Sequence, residues 1–135
     1  GATTVIPGRC EVIFNFRYST ETSDADLRAR VAQVLDRHGL DYRLDWTLSG
    51  RPFLTPRGEL VEAALRAIRR VAGHDADLST AGGTSDGRFI APTGAQVLEL
   101  GVRNATIHKI DECVGVGELD QLSSMYEQTL VELLA

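Results

Sequence analysis

From Glu11 to Tyr18 the chain alternates, with Val12, Phe14, Phe16 and Tyr18 on one face and Ile13, Asn15 and Arg17 on the other. A period of two predicts a half-buried strand with one mostly polar face. The period then lengthens. Thr22 and Ser23 offer N-caps, and Asp24 and Asp26 suit the positive end of a helix dipole. Leu27, Val31, Val34 and Leu35 recur at helical spacing until Gly39 supplies a stop. Leu40, Tyr42, Leu44, Trp46 and Leu48 then alternate with Asp41, Arg43, Asp45 and Thr47, which predicts a second strand. The expected lobe is β-α-β, with the helix over one sheet face and the other face open. Two strands alone are marginal, so further strands are expected from sequence outside this chain or from a partner subunit.

Segment 49–56 breaks both periods and contains Pro52 and Pro56, which reads as a connection between lobes. Beyond it, Leu60, Val61, Ala64, Leu65, Ile68 and Val71 form an apolar helical stripe from Gly58 to Ala72, closed by Gly73. Residues 95–100 are expected as a short strand, and 117–134 as an amphipathic helix built on Leu119, Leu122, Tyr126, Leu130 and Leu133. The predicted class is α/β.

Composition narrows the function classes. With 135 residues, 43% hydrophobic and 24% charged, the chain is of globular rather than disordered type. Its net charge of −5 and the lack of a dense basic patch argue against a nucleic-acid partner. Arg66, Arg69 and Arg70 fit the solvated side of a helix. No apolar run approaches the roughly 20 residues of a membrane helix, so no membrane partner is expected. Cys10 and Cys113 lack metal or redox spacing, which favours a reducing, cytoplasmic setting. The opening residues, Gly1 to Gly8, lack a methionine and read like the lead-in to a strand within a longer protein.

Two polar loops carry the candidate chemistry. In Gly82-Gly83-Thr84-Ser85-Asp86-Gly87 the glycines would let backbone N–H groups approach an anion, with hydroxyls beside them. No Gly-Lys-Ser/Thr follows, so a nucleotide loop is disfavoured, and a plain turn into a helix remains open. His108 lies in a second polar loop near Asp111 and Glu112, whereas His38 and His74 sit at helix ends. A zinc site needs three or four protein ligands, so His108 taken alone reads more often as a hydrogen-bonded loop histidine than as a ligand.

Gly82-Gly83-Thr84-Ser85-Asp86-Gly87-Arg88-Phe89, Asn104-Ala105-Thr106-Ile107-His108-Lys109 and Glu112-Cys113-Val114 resemble the closing motifs of the succinyl-diaminopimelate desuccinylases. These belong to the dinuclear zinc aminoacylase and carboxypeptidase superfamily. Val5-Ile6-Pro7, Phe14-Asn15-Phe16-Arg17-Tyr18-Ser19 and Leu48-Ser49-Gly50-Arg51-Pro52-Phe53-Leu54-Thr55 resemble the same family in the same order, so the likeness runs through nearly the whole chain. Relatives such as the acetylornithine deacetylases usually differ around the Gly-Gly-Thr-Ser-Asp-Gly-Arg loop.

The resemblance implies hydrolysis of N-succinyl-L,L-2,6-diaminopimelate to succinate and L,L-2,6-diaminopimelate, a step toward lysine and peptidoglycan. It implies two zinc ions per site, with cobalt as a possible substitute, and a homodimer formed through a lid. Residues 1–53 would be the second half of a ferredoxin-like lid and 54–135 the C-terminal part of a zinc-exopeptidase-like catalytic domain. His108 matches the last metal ligand, while Arg17, Ser49, Gly83, Thr84 and Asn104 match substrate-holding positions. Arg17 suits a carboxylate through its guanidinium fork. Thr4 stands where the family usually has Asn. The other ligands, the bridging carboxylate, the general base and the lid histidine have no counterpart here, so the chain taken alone is expected to be inactive. The alternatives are a truncated, non-catalytic binding or assembly module and a deacylase acting on another N-acyl amino acid.

Overall fold

A computed structural model describes residues 3–83 and 85–135. The chain divides into two units, Gly1–Leu48 and Ser49–Ala135, and the division falls at the head of the proline-containing segment 49–56. Among the described residues the architecture is helical: α1 (Asp24–Arg37), α2 (Glu59–Ala72), the single turn α3 (Gly87–Ile90) with a 3-10 turn at Ala91–Thr93, and α4 (Val116–Leu134).

In the first unit, α1 is fixed by its ends. Ser23 is the N-cap: its Oγ accepts from the Asp26 N–H at 3.1 Å, and Asp26 Oδ2 accepts from the Ser23 N–H at 3.3 Å, a reciprocal capping box. The neighbouring Thr22 hydroxyl is buried without a partner among the described residues. Gly39, at φ +62°, turns the chain out of the helix. Its N–H donates to Asp36 O and that of Leu40 to Leu35 O, the paired bonds of a Schellman stop. Nothing on α1 is buried. Leu27, Val31 and Leu35 are half-buried and Val34 is 48% exposed.

The strands expected at 11–18, 40–48 and 95–100, and with them the β-α-β lobe, are corrected by the structure: among the described residues no strand forms. No backbone hydrogen bond joins 11–18 to 40–48. Alternation marks which side chains share a face, but a strand exists only as a ladder with a neighbour. What these segments share instead is an aromatic cluster. Phe14 packs edge-on against Phe16 and Trp46, with ring centroids 5.6 and 5.9 Å apart. Phe16 stacks near Trp46 at 6.4 Å, and the Arg28 guanidinium lies 5.5 Å from the indole.

The second unit has a core, and it lies where α2 packs on α4. Val61, Ala63, Ala64, Ala67 and Ile68 are buried on α2. Ala63 and Ala67 are fully enclosed, so α4 approaches where these side chains are smallest. Thr129 is the buried residue of α4, its hydroxyl turned back to Met125 O at 2.7 Å. Arg66 and Arg70 reach across: Arg66 Nε donates to Glu132 Oε2 at 2.6 Å, and Arg70 pairs with Glu132 at 3.2 Å and Gln128 at 3.0 Å. The bonded Arg66 guanidinium holds the Glu132 carboxyl below its ordinary pKa, against an opposing effect of desolvation.

The start of α2 is capped from afar. Gly58 has no side chain to offer, and the Leu60 N–H donates to Gln96 Oε1 at 2.9 Å. A Cβ at Gly58 would come within 2.3 Å of the Gln96 amide nitrogen, so alanine there would push the cap away. At the other end, Gly73 adopts φ +75°. Segment 95–100 is held by side chains instead of a ladder: Thr55 donates to Val97 O at 2.5 Å, and the Tyr126 hydroxyl donates to Leu100 O.

Candidate functional site

The Gly-rich loop owes part of its sequence to packing. Gly87 is buried, and a Cβ there would meet Val97 Cγ1 at 2.6 Å, Phe53 Cζ at 2.9 Å and Ser85 Oγ at 3.0 Å. The Gly87 N–H donates to Ser85 Oγ at 2.9 Å, and α3 starts from that turn. Arg88 then lies back over segment 49–50: a Cβ on Gly50 would come within 2.8 Å of its Cδ. Arg88 also places its guanidinium 4.7 Å from the Phe89 ring, and its Nε is buried with no hydrogen-bond partner among the described residues. Segment 49–50 therefore lies beside the Arg88 side chain, which begins five residues beyond Gly83.

Ser49 and Gly83 are themselves exposed. Thr84 lies outside the described residues, as do Gly1 and Ala2 at the head of the chain. Arg17 is exposed in the first unit and makes no hydrogen bond or ion pair among the described residues. Thr4 is exposed as well.

Loop 104–113 carries Asn104 and His108, both exposed. Its first turn is local: the Ile107 N–H donates to Asn104 O at 3.1 Å, and the Lys109 N–H to Thr106 O at 3.0 Å. The base is closed by one side chain. Thr106 Oγ1 donates to Cys113 O at 2.9 Å and accepts from the Cys113 N–H at 3.0 Å. Just outside, the Arg103 N–H donates to Glu118 Oε2 at 3.3 Å, which ties the entrance to the first turn of α4. Between the closing bonds, His108 and Asp111 both take left-handed backbone, at φ +61° and +59°. For residues with a Cβ this costs on the order of 1 kcal/mol each, although Asp and His tolerate it better than most.

An exposed imidazole whose ring nitrogens make no hydrogen bond among the described residues suits a metal ligand. The set does not extend further in this chain: among the described residues no group of three His, Cys, Asp or Glu could hold an ion. His108 can therefore supply one donor, and a complete site needs donors from other sequence. Cys10 and Cys113 are free and exposed. No described helix is long and apolar enough to cross a membrane.

Sequence reasoning missed Thr106, Glu118 and Gln96. A threonine, a glutamate and a glutamine in polar surroundings carry no periodic signal, and their roles appear only with their distant partners in place.

Residues 2–132 match the sequence profile described as Peptidase family M20/M25/M40, and the chain belongs to that family. Among curated proteins it is 65% identical to a succinyl-diaminopimelate desuccinylase of Marinobacter nauticus, over 97% of this chain and 35% of the relative. It is also 65% identical to one from Acinetobacter baumannii strain AYE, over all of this chain and 36% of the relative. A third, from Acinetobacter baylyi, is 64% identical over the same share of each. The chain thus spans about a third of the length of the curated relatives it matches.

Proposed function

We propose that this M20/M25/M40 member is the C-terminal third of a succinyl-diaminopimelate desuccinylase. The complete protein would hydrolyse N-succinyl-L,L-2,6-diaminopimelate to succinate and L,L-2,6-diaminopimelate in the cytoplasm. The observation that carries this reading is 65% identity, along the full chain, to enzymes of that name.

Within that reading, residues 1–53 are half of a ferredoxin-like dimerisation lid and 54–135 the end of the catalytic domain. The alternating segments 11–18 and 40–48 would find strand partners in sequence outside this chain. Arg17 would bind a substrate carboxylate as a bidentate fork. Ser49, Gly83, Thr84 and Asn104 would orient the succinyl amide and its flanking carboxylates. The proximity of segment 49–50 to Arg88 supports Ser49 and the Gly83 loop sharing one wall of a pocket. His108 would hold one metal ion through its imidazole, and by the family resemblance that ion is zinc, with cobalt as a possible substitute. When bound, a pair of such ions supplies Lewis-acid stabilisation of charge developing on the amide oxygen. The chain's own residues bind and orient the substrate, and the groups that move protons lie elsewhere in the protein.

The test is turnover by the complete protein of the N-succinyl substrate against an N-acetyl amino acid, with and without a chelator. Release of diaminopimelate that is lost on chelation is expected. Preference for the acetylated substrate would assign a different deacylase, and no turnover with metal restored would leave a binding module.

A further inference from the structure

One hydroxyl closes loop 104–113. Thr106 Oγ1 is used in both directions, giving its proton to Cys113 O at 2.9 Å and receiving the Cys113 N–H at 3.0 Å. The side chain stands in for a missing backbone partner, satisfying a donor and an acceptor seven residues away. Thr106 is half-buried, whereas every other residue from 101 to 117 is exposed. Within the closed span, His108 and Asp111 sit at φ +61° and +59°, conformations that residues with a Cβ leave when nothing holds them.

Because φ at a residue sets the direction of its Cα–Cβ bond, a loop relaxed to negative φ would turn the His108 imidazole elsewhere. Ligand histidines are commonly oriented by a hydrogen bond to the second ring nitrogen. No such bond exists here among the described residues, so orientation falls to the backbone. We propose that Thr106 is the positioning residue for His108, fixing the direction in which the imidazole is presented by clasping the loop at Cys113. The proposal rests on the reading of His108 as a metal ligand.

The experiment uses the complete protein, stripped and reloaded with Zn(II) in competition with a chromophoric chelator. Thr106→Val keeps the shape and loses both bonds, so one metal site should weaken about 10- to 100-fold, the usual effect of removing a group that orients a ligand. Thr106→Ser keeps the hydroxyl and should bind as wild type. The unfolding midpoint of the metal-free protein, which a merely structural role would move, should stay in place for both. Thr106→Cys, of similar volume and weaker hydrogen bonding, should fall between them and decides the matter if the valine variant does not fold. Wild-type affinity in Thr106→Val, or in Thr106→Cys if that variant must decide, overturns the positioning role while His108→Ala still loses a site. Undiminished stoichiometry in His108→Ala overturns the ligand reading beneath it.

Discussion

The two units of this chain hold their helices by different means. In the first, α1 has both ends written locally, with the Ser23–Asp26 box at its start and the Gly39 stop at its end, yet no residue on it is buried. In the second, α2 begins at a glycine with no cap of its own, buries five residues and packs on α4. Local hydrogen bonds can specify where a helix starts and stops, but most helical stability comes from burying a face. The contrast separates specification from stabilisation.

Three measurements break or sharpen it. The largest effect belongs to Ile68→Ala, which should cost about 2–3 kcal/mol in chemical unfolding, the low end for a buried large-to-small change because the site lies at the margin of the core. Val34→Ala on α1, at a position 48% exposed, should change stability by no more than about 0.5 kcal/mol. Equal losses at the two positions would erase the distinction. The single tryptophan, Trp46, gives a fluorescence reading confined to the first unit.

Next comes Ser23→Ala, which removes one half of the capping box and should cost about 1 kcal/mol, seen as faster amide exchange in the first turn of α1. Unchanged protection there would mean that tertiary contacts, not the cap, set the start of the helix.

The smallest effect concerns acid. Glu132 has a folded pKa below its ordinary 4.5, so its contribution is complete above that value and fades as pH falls through the lowered one. The pairing of Arg66 and Arg70 with Glu132 is solvent-accessible and should weaken with added salt. Glu132→Gln should flatten the acid limb of the stability curve below pH 4.5. An acid limb identical to wild type would show that the α2–α4 contact rests on its apolar residues alone.

Helix ends were readable from sequence because their causes are local: Ser23, Gly39 and Gly73 each act within a few residues. Strands were not, since the alternation at 11–18 and 40–48 records which side chains lie together, and Phe14, Phe16 and Trp46 do meet, while the ladder needs a partner that periodicity cannot supply. The buried stripe of α2 was partly legible. Val61, Ala64 and Ile68 were expected, but Ala63 and Ala67 escaped because burial of small side chains is dictated by how closely α4 approaches. The candidate site was legible only as motif likeness. His108 and Asn104 could be picked out by residue type and resemblance, whereas the Thr106 clasp depends on a Cys113 backbone that spacing alone does not bring near.

The distant cap of α2 also bears on how the chain is made. Gln96 is 36 positions beyond Leu60, so the ribosome adds it roughly 2 to 7 seconds later at ordinary synthesis rates. Neither Gln96 nor α4, the helix that packs on α2, exists when α2 itself is made, so the helix can be neither capped nor covered until later residues have been added. Completion of α2 therefore waits on residues made after it, which ties its folding to synthesis of the rest of the second unit.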